Sequence, residues 1–148
     1  MPSWADSLRQ HWPEYLMEAA GLGIFMVSAA VVTTLFEYPK SPLHGVLPDP
    51  MFRRVLIGIA MGLTAIGIIY SPWGKQSGAH LNPAVTLTFF RLRKIQGTDA
   101  FCYAFAQLVG GLIGLLVASV AIGRAIEHPA VNYVVTVPGT DGAGIAFV

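Results

Sequence analysis

The sequence predicts an all-α membrane protein with three transmembrane helices and one re-entrant half-helix. Three observations lead there. The 148-residue chain is 54% hydrophobic and only 11% charged, whereas a soluble domain carries about 25% charged residues. Three long apolar runs stand out, near residues 15–36, 55–70 and 101–126. Between the second and third lies the stretch 77–90, SGAHLNPAVTLTFF, almost uncharged and with Asn-Pro inside it.

The elements follow in order. Residues 1–14 mix Trp4 and Trp12 with polar residues and read as an interfacial segment. The first run reaches the roughly 20 residues that a span needs. It carries Glu18 and has no basic leader, which argues against a signal peptide. Pro39, Pro42, Pro48 and Pro50 predict an irregular, solvated first loop. The second run is short for a span unless Met51 and Phe52 extend it. The third is long enough. Trp12, Tyr15, Phe36, Tyr38, Tyr70 and Trp73 sit near the ends of the first two runs, as interfacial aromatic belts do. Gly58 with Gly62, and Gly110 with Gly114, are small-xxx-small pairs that predict close helix contacts. Pro138-Gly139 and Asp141-Gly142 mark an outer loop, and the apolar close at 144–148 reads as the first turn of a fourth span. An inward-facing N-terminus puts Arg9, Lys75, Arg91, Arg93 and Lys94 inside and Lys40, Arg53, Arg54 and Arg124 outside, a slight bias carried by the cluster at 91–94.

The Asn-Pro pair explains the second loop. Pro83 disfavours helical angles at Asn82. Asn is among the best N-cap residues, and Pro suits the first helical position. The pair therefore starts a helix whose body runs to about Phe90. Nine residues rise only about 13 Å, under half of a ~30 Å hydrocarbon core. Such a helix can enter from one face and stop near the middle. Irregular backbone at that depth must be buried in protein or line a watery cavity. Residues 77–81 are thus expected to descend non-helically, with free carbonyls, and Gly78 and Ala79 leave room for close approach. The positive end of the half-helix dipole would face the membrane centre, and Arg91, Arg93 and Lys94 would sit at its negative end. If the Asn82 oxygen caps the helix, the amide keeps two donors for a water or hydroxyl oxygen. Positive dipole at the midplane repels cations and protons. A soluble helix cap is the plainer alternative. The place of the pair between two spans argues against it.

The stretch SGAHLNPAV, residues 77–85, resembles the first signature loop of the aquaporin/aquaglyceroporin (major intrinsic protein) family. The family's Asn-Pro-Ala box falls on Asn82, Pro83 and Ala84, preceded by the Ser-Gly-x-His pattern at Ser77, Gly78 and His80. AFAQLVGG, residues 104–111, resembles the family's third helix, and Glu18 matches the acidic residue usual in its first. The resemblance runs from about Tyr15 to Gly123. It implies two inverted repeats, each with three helices and one half-helix, of which this sequence holds the first. A second Asn-Pro-Ala box and the arginine that follows it are not in the 148 residues. The resulting organisation is an interfacial segment 1–14, a first repeat 15–126 with its re-entrant loop at 71–94, and an outer loop with the start of a fourth helix at 127–148. Carbonyls of Gly78, Ala79 and His80 would form an acceptor ladder beside Asn82. Met61 aligns with a position of the outer filter, where water-selective members commonly carry an aromatic.

Other residues admit two readings. Glu18 either lines a pore or bonds the re-entrant loop; the cost of an unpaired buried charge favours the second. His80 is a pH sensor, a metal ligand or a brace for the loop, and lacks a second ligand nearby. Gln107 either lines the pore or bonds a neighbouring element. No Ser/His/Asp set, carboxylate pair or Cys/His cluster points to catalysis, a metal or a cofactor. The lone Cys102 forms no disulfide within the chain, and a net charge of +1 makes nucleic acid an unsuited partner. The expectation is a multi-pass protein of the inner (plasma) membrane, not an enzyme, whose partners are the lipid bilayer and water or a small neutral solute such as glycerol. The channel would be complete only with a second repeat, and the full-length family member would be a homo-oligomer (tetramer). The rivals are a truncated, non-transporting membrane protein and a coupled secondary transporter, the latter with Glu18 as its one candidate ion site.

Overall fold

The computed structural model describes residues 4–137. The described residues form helices and 3-10 turns joined by loops, without strands. Helix α1 is Trp4–Glu37, α2 is Pro42–Val46, α3 is Pro50–Tyr70, α4 is Pro72–Ser77, α5 is Pro83–Arg91 and α6 is Gly97–Ile122. Two 3-10 turns follow, Gly123–Glu127 and Asn132–Val134.

Four of these helices start the same way. Ser41-Pro42, Asp49-Pro50, Ser71-Pro72 and Asn82-Pro83 each put an extended polar residue at the N-cap and proline at the first helical position. The Asp49 carboxylate accepts from the Met51 and Phe52 amides at 2.8 and 3.3 Å, and Ser71 Oγ from the Gly74 amide at 3.0 Å. Because α3 begins at Pro50, Met51 and Phe52 do extend the second span. Its 21 residues rise about 31 Å, enough to cross. Helices α1 and α6, the latter with the 3-10 turn that continues it, are also long and apolar enough to cross a membrane.

Three expectations need correction. Residues 4–14 are not a separate element: they run into the first span as one 34-residue helix, although Pro13 removes a backbone donor near the expected boundary. The first loop is not wholly irregular, since its prolines start α2 and α3. Ser77 is not part of the irregular descent but the last residue of α4, so only 78–81 run non-helically. The expected loop at 138–142 and fourth span at 144–148 lie outside the described residues.

The main seam joins α1 to α6. A Cβ at Gly110 would fall on the Ala19 carbonyl, and one at Gly114 on that of Gly23. This close crossing is the contact the Gly110/Gly114 pair predicts. Gly58 and Gly62 behave otherwise: a Cβ on either meets nothing within 4 Å among the described residues. The reason is rotational. At about 100° per residue they lie roughly opposite Arg53 and Thr64, through which α3 meets α1. Thr64 bonds Ser28 at 2.8 Å, and Arg53 bonds Glu37. At the far end of the bundle Ile126 and Val131 fold onto Ala30 and Ala118 as a small apolar cap.

Candidate functional site

Asn82 is extended and its Oδ1 accepts the Ala84 amide at 2.8 Å, so it caps α5. The cap leaves both amide hydrogens of its side chain for another acceptor. Asn82, Ala84 and Gly78 are exposed; Ala79 and Pro83 are half-buried.

The approach to that cap is a left-handed turn. Gly78, Ala79 and Leu81 have φ of 91°, 46° and 51°. Glycine takes such angles readily, whereas Ala79 and Leu81 hold them against steric cost. Something must over-determine this backbone, and it is Glu18, 0% exposed on α1. One carboxylate oxygen accepts from the Ser77 hydroxyl at 2.8 Å and the His80 amide at 3.0 Å. The other accepts from the Leu81 amide and from Gln107 Nε2, both at 2.8 Å. Two neighbouring amides converging on one anion make a nest, the arrangement that turned backbone creates for negative charge. With the amides turned inward, the carbonyls of Gly78, Ala79 and His80 accept no hydrogen bond among the described residues.

A second layer fixes the first. Gln107 on α6 is also 0% exposed and reaches from Glu18 to Thr86 Oγ1 at 3.0 Å. Thr86 bonds His80 Nδ1 at 3.1 Å, and the imidazole stacks on Phe89 with centroids 4.5 Å apart. The Tyr103 hydroxyl donates to the Ser77 carbonyl at 2.8 Å, and its ring meets His80 edge-on. At the surface end, Gln76 donates to Glu14 at 3.0 Å, tying α4 to α1.

These pairings also set the depth of α5. Gln107 lies ten residues into α6, about 15 Å along its axis. Its partner Thr86 is in the first turn of α5, so the positive end of the half-helix lies about halfway through a ~30 Å core. Its other end, at Arg91, returns toward the start of α6.

The expected site residues therefore separate. Glu18, His80 and Gln107 have buried side chains joined in one network, while Gly78, Ala79, Asn82, Pro83 and Ala84 form the strip beside it. Met61 is not brought to either: it is half-buried on α3, and none of the network's bonds reaches it. A groove of about 280 Å³ between α1, α3 and α4 is lined by Met17, Gly21, Thr64, Ile68, Ser77 and Leu81 among others, and contains neither Gly78 nor Asn82. The expected bonding of Glu18 to the re-entrant loop includes Ser77, whereas Thr86, Phe89 and Tyr103 were not anticipated. Thr86 and Phe89 did carry a signal, being four and seven residues into a helix started by Asn82.

Such an arrangement defines a class: a polytopic helical membrane protein with a half-helix that ends head-first near the middle of the bilayer. The family model for major intrinsic proteins matches residues 5–146, and the chain belongs to that family. It is 33% identical over 122 residues to an aquaporin of Laccaria bicolor, covering 81% of this chain and 38% of the relative. It is 38% identical over 69 residues to a probable aquaporin, AqpM, of Archaeoglobus fulgidus, covering 47% and 28%. It is 36% identical over 93 residues to the human lens fiber major intrinsic protein, covering 57% and 35%. The matches thus cover about a third of the length of these curated relatives. No solved structure matches the chain significantly.

Proposed function

We propose that this chain forms one half of a passive channel for water or a small neutral solute such as glycerol, complete with a second repeat. The observation that carries the reading is the capped half-helix: Asn82 closes α5 at membrane depth, at the end of a turn whose amides are held by Glu18. In this reading the free carbonyls of 78–80 accept from the passing solute. The Asn82 amide donates to its oxygen and turns it, breaking a continuous chain of hydrogen-bonded water. The dipole of α5 keeps cations out. Glu18 and Gln107 hold the turn and His80 braces it through its side chain, while Met61 narrows the outer end. The work is passive, with no catalytic step, in a multi-pass protein of the cell's inner (plasma) membrane that assembles as a homo-oligomer once whole.

Stopped-flow shrinkage of proteoliposomes tests this. Liposomes with the 148-residue chain alone are expected to shrink no faster than empty ones. Co-reconstitution with a second-repeat polypeptide from a relative is expected to speed shrinkage, and Asn82→Asp to abolish the gain. No gain with the second repeat sinks the channel reading. Fast shrinkage by the chain alone, lost in Asn82→Asp, overturns the need for a second repeat and favours two copies in opposite orientation.

A further inference from the structure

We propose that the basic turn between α5 and α6 is a binding site for the phosphate of an anionic phospholipid. Arg91, Arg93 and Lys94 are all exposed, and none belongs to the ion pairs His11–Asp99 and Glu37–Arg53. Lys94 is held in place by its amide bond to the Phe89 carbonyl, and Arg93, at φ 56°, by its bond to Phe90. The turn is therefore a shaped surface rather than a free tail. Behind it lies an open groove of about 660 Å³, lined by Phe90, Arg93, Lys94, Ile95, Gln96, Gly97 and Thr98.

Position selects lipid as the occupant. The turn lies where α6 begins its span, and α1 begins beside it: Ser7 bonds Thr98 at 3.0 Å, and Trp4 packs edge-on to Phe101. This is one boundary of the hydrocarbon core. Phe90 and Leu92 are 44% and 62% exposed next to the cations, so apolar surface and positive charge adjoin as they do in a phospholipid's glycerol and phosphate region. The nearest acid in α6, Asp99, is turned to α1, where it accepts from Tyr15 at 2.6 Å and meets His11 at 3.0 Å. It does not cancel the charge of the groove. Basic pockets at the membrane surface between helices take anionic headgroups for these reasons.

Delipidated full-length chain in detergent, titrated with dioleoylphosphatidylglycerol and followed by native mass spectrometry, gives the test. Phosphatidylglycerol is expected to bind well above dioleoylphosphatidylcholine. Each cation replaced among Arg91→Gln, Arg93→Gln and Lys94→Gln weakens that binding by about fivefold. The matched control, Lys40→Gln with Arg124→Gln at exposed positions away from the turn, leaves it unchanged. Equal binding of the two lipids, or full phosphatidylglycerol binding by the triple variant, overturns the proposal. So does competition by inorganic phosphate at the lipid's own concentration, which would make the site one for a free anion. All replaced side chains are exposed, and unfolding temperatures in lipid-free detergent separate a binding loss from a folding loss.

Discussion

Two glutamates on α1, Glu18 and Glu37, are held in opposite ways. They are nineteen residues apart, roughly 28 Å along the helix. Glu37 is the last residue of α1 and takes a cation: Arg53 forks onto both its oxygens at 3.3 and 3.1 Å and gives its remaining nitrogen to the Leu47 and Pro48 carbonyls. Glu18 lies inside and takes none. Its four bonds come from a hydroxyl, an amide side chain and two backbone amides. A side-chain cation can reach its partner from many backbone shapes. A backbone amide cannot, because its direction is the backbone shape. Glu37 fastens two helix ends; Glu18 specifies a turn.

The largest expected effect follows from that distinction. Glu18→Gln keeps size but points an NH2 at two donors, and each orphaned donor costs about 1–3 kcal/mol. Hydrogen exchange at the His80 and Leu81 amides should accelerate together with a fall in unfolding temperature. Unchanged exchange at both would mean the turn stands without the carboxylate, and the contrast with Glu37 would fail. Gln107→Leu comes next. It removes one charge-assisted bond and the partner of Thr86, for about 1.5–3 kcal/mol, and the loss should shrink when measured in the Glu18→Gln background. Additive losses would show that the two residues act separately.

Arg53→Lys should cost less, about 1 kcal/mol, because the charge survives while the fork and the bonds to the Leu47 and Pro48 carbonyls are lost. Its signature is local: faster exchange in α2 and the loop before α3, with the 78–81 turn untouched. The smallest effect belongs to Gly58→Ala. With open space at that position, thermal unfolding should show no loss and up to about 1 kcal/mol of gain from helix propensity. A loss there would mean α3 has a close neighbour on the face away from Glu37.

Much of this was readable beforehand, for physical reasons. Apolar runs report spans directly, and Asn82-Pro83 reports a helix start because capping is local chemistry. The same chemistry stood at Ser71-Pro72, and reading it would have placed α4 and moved the start of the irregular turn to Gly78. Glu18 was legible as a loop partner because an ionisable group in a span must find donors. The pairings of Thr86 with Gln107 and of Tyr103 with Ser77 were not, since those partners lie 21 and 26 residues away in the chain and only packing brings them together. The glycine pairs show the limit most plainly. Gly58/Gly62 and Gly110/Gly114 have the same spacing, and nothing in that spacing says which face of α3 meets α1.

The Glu18 socket also has a schedule. Its pieces leave the ribosome in the order Glu18, Ser77, His80, Thr86 and last Gln107, sixteen residues after the end of α5. At roughly 5–20 residues per second, the half-helix exists for about one to three seconds before its final partner has been synthesised. During that interval Glu18 lacks one donor and Thr86 lacks its amide neighbour. Slowing translation across residues 92–107 would lengthen the wait.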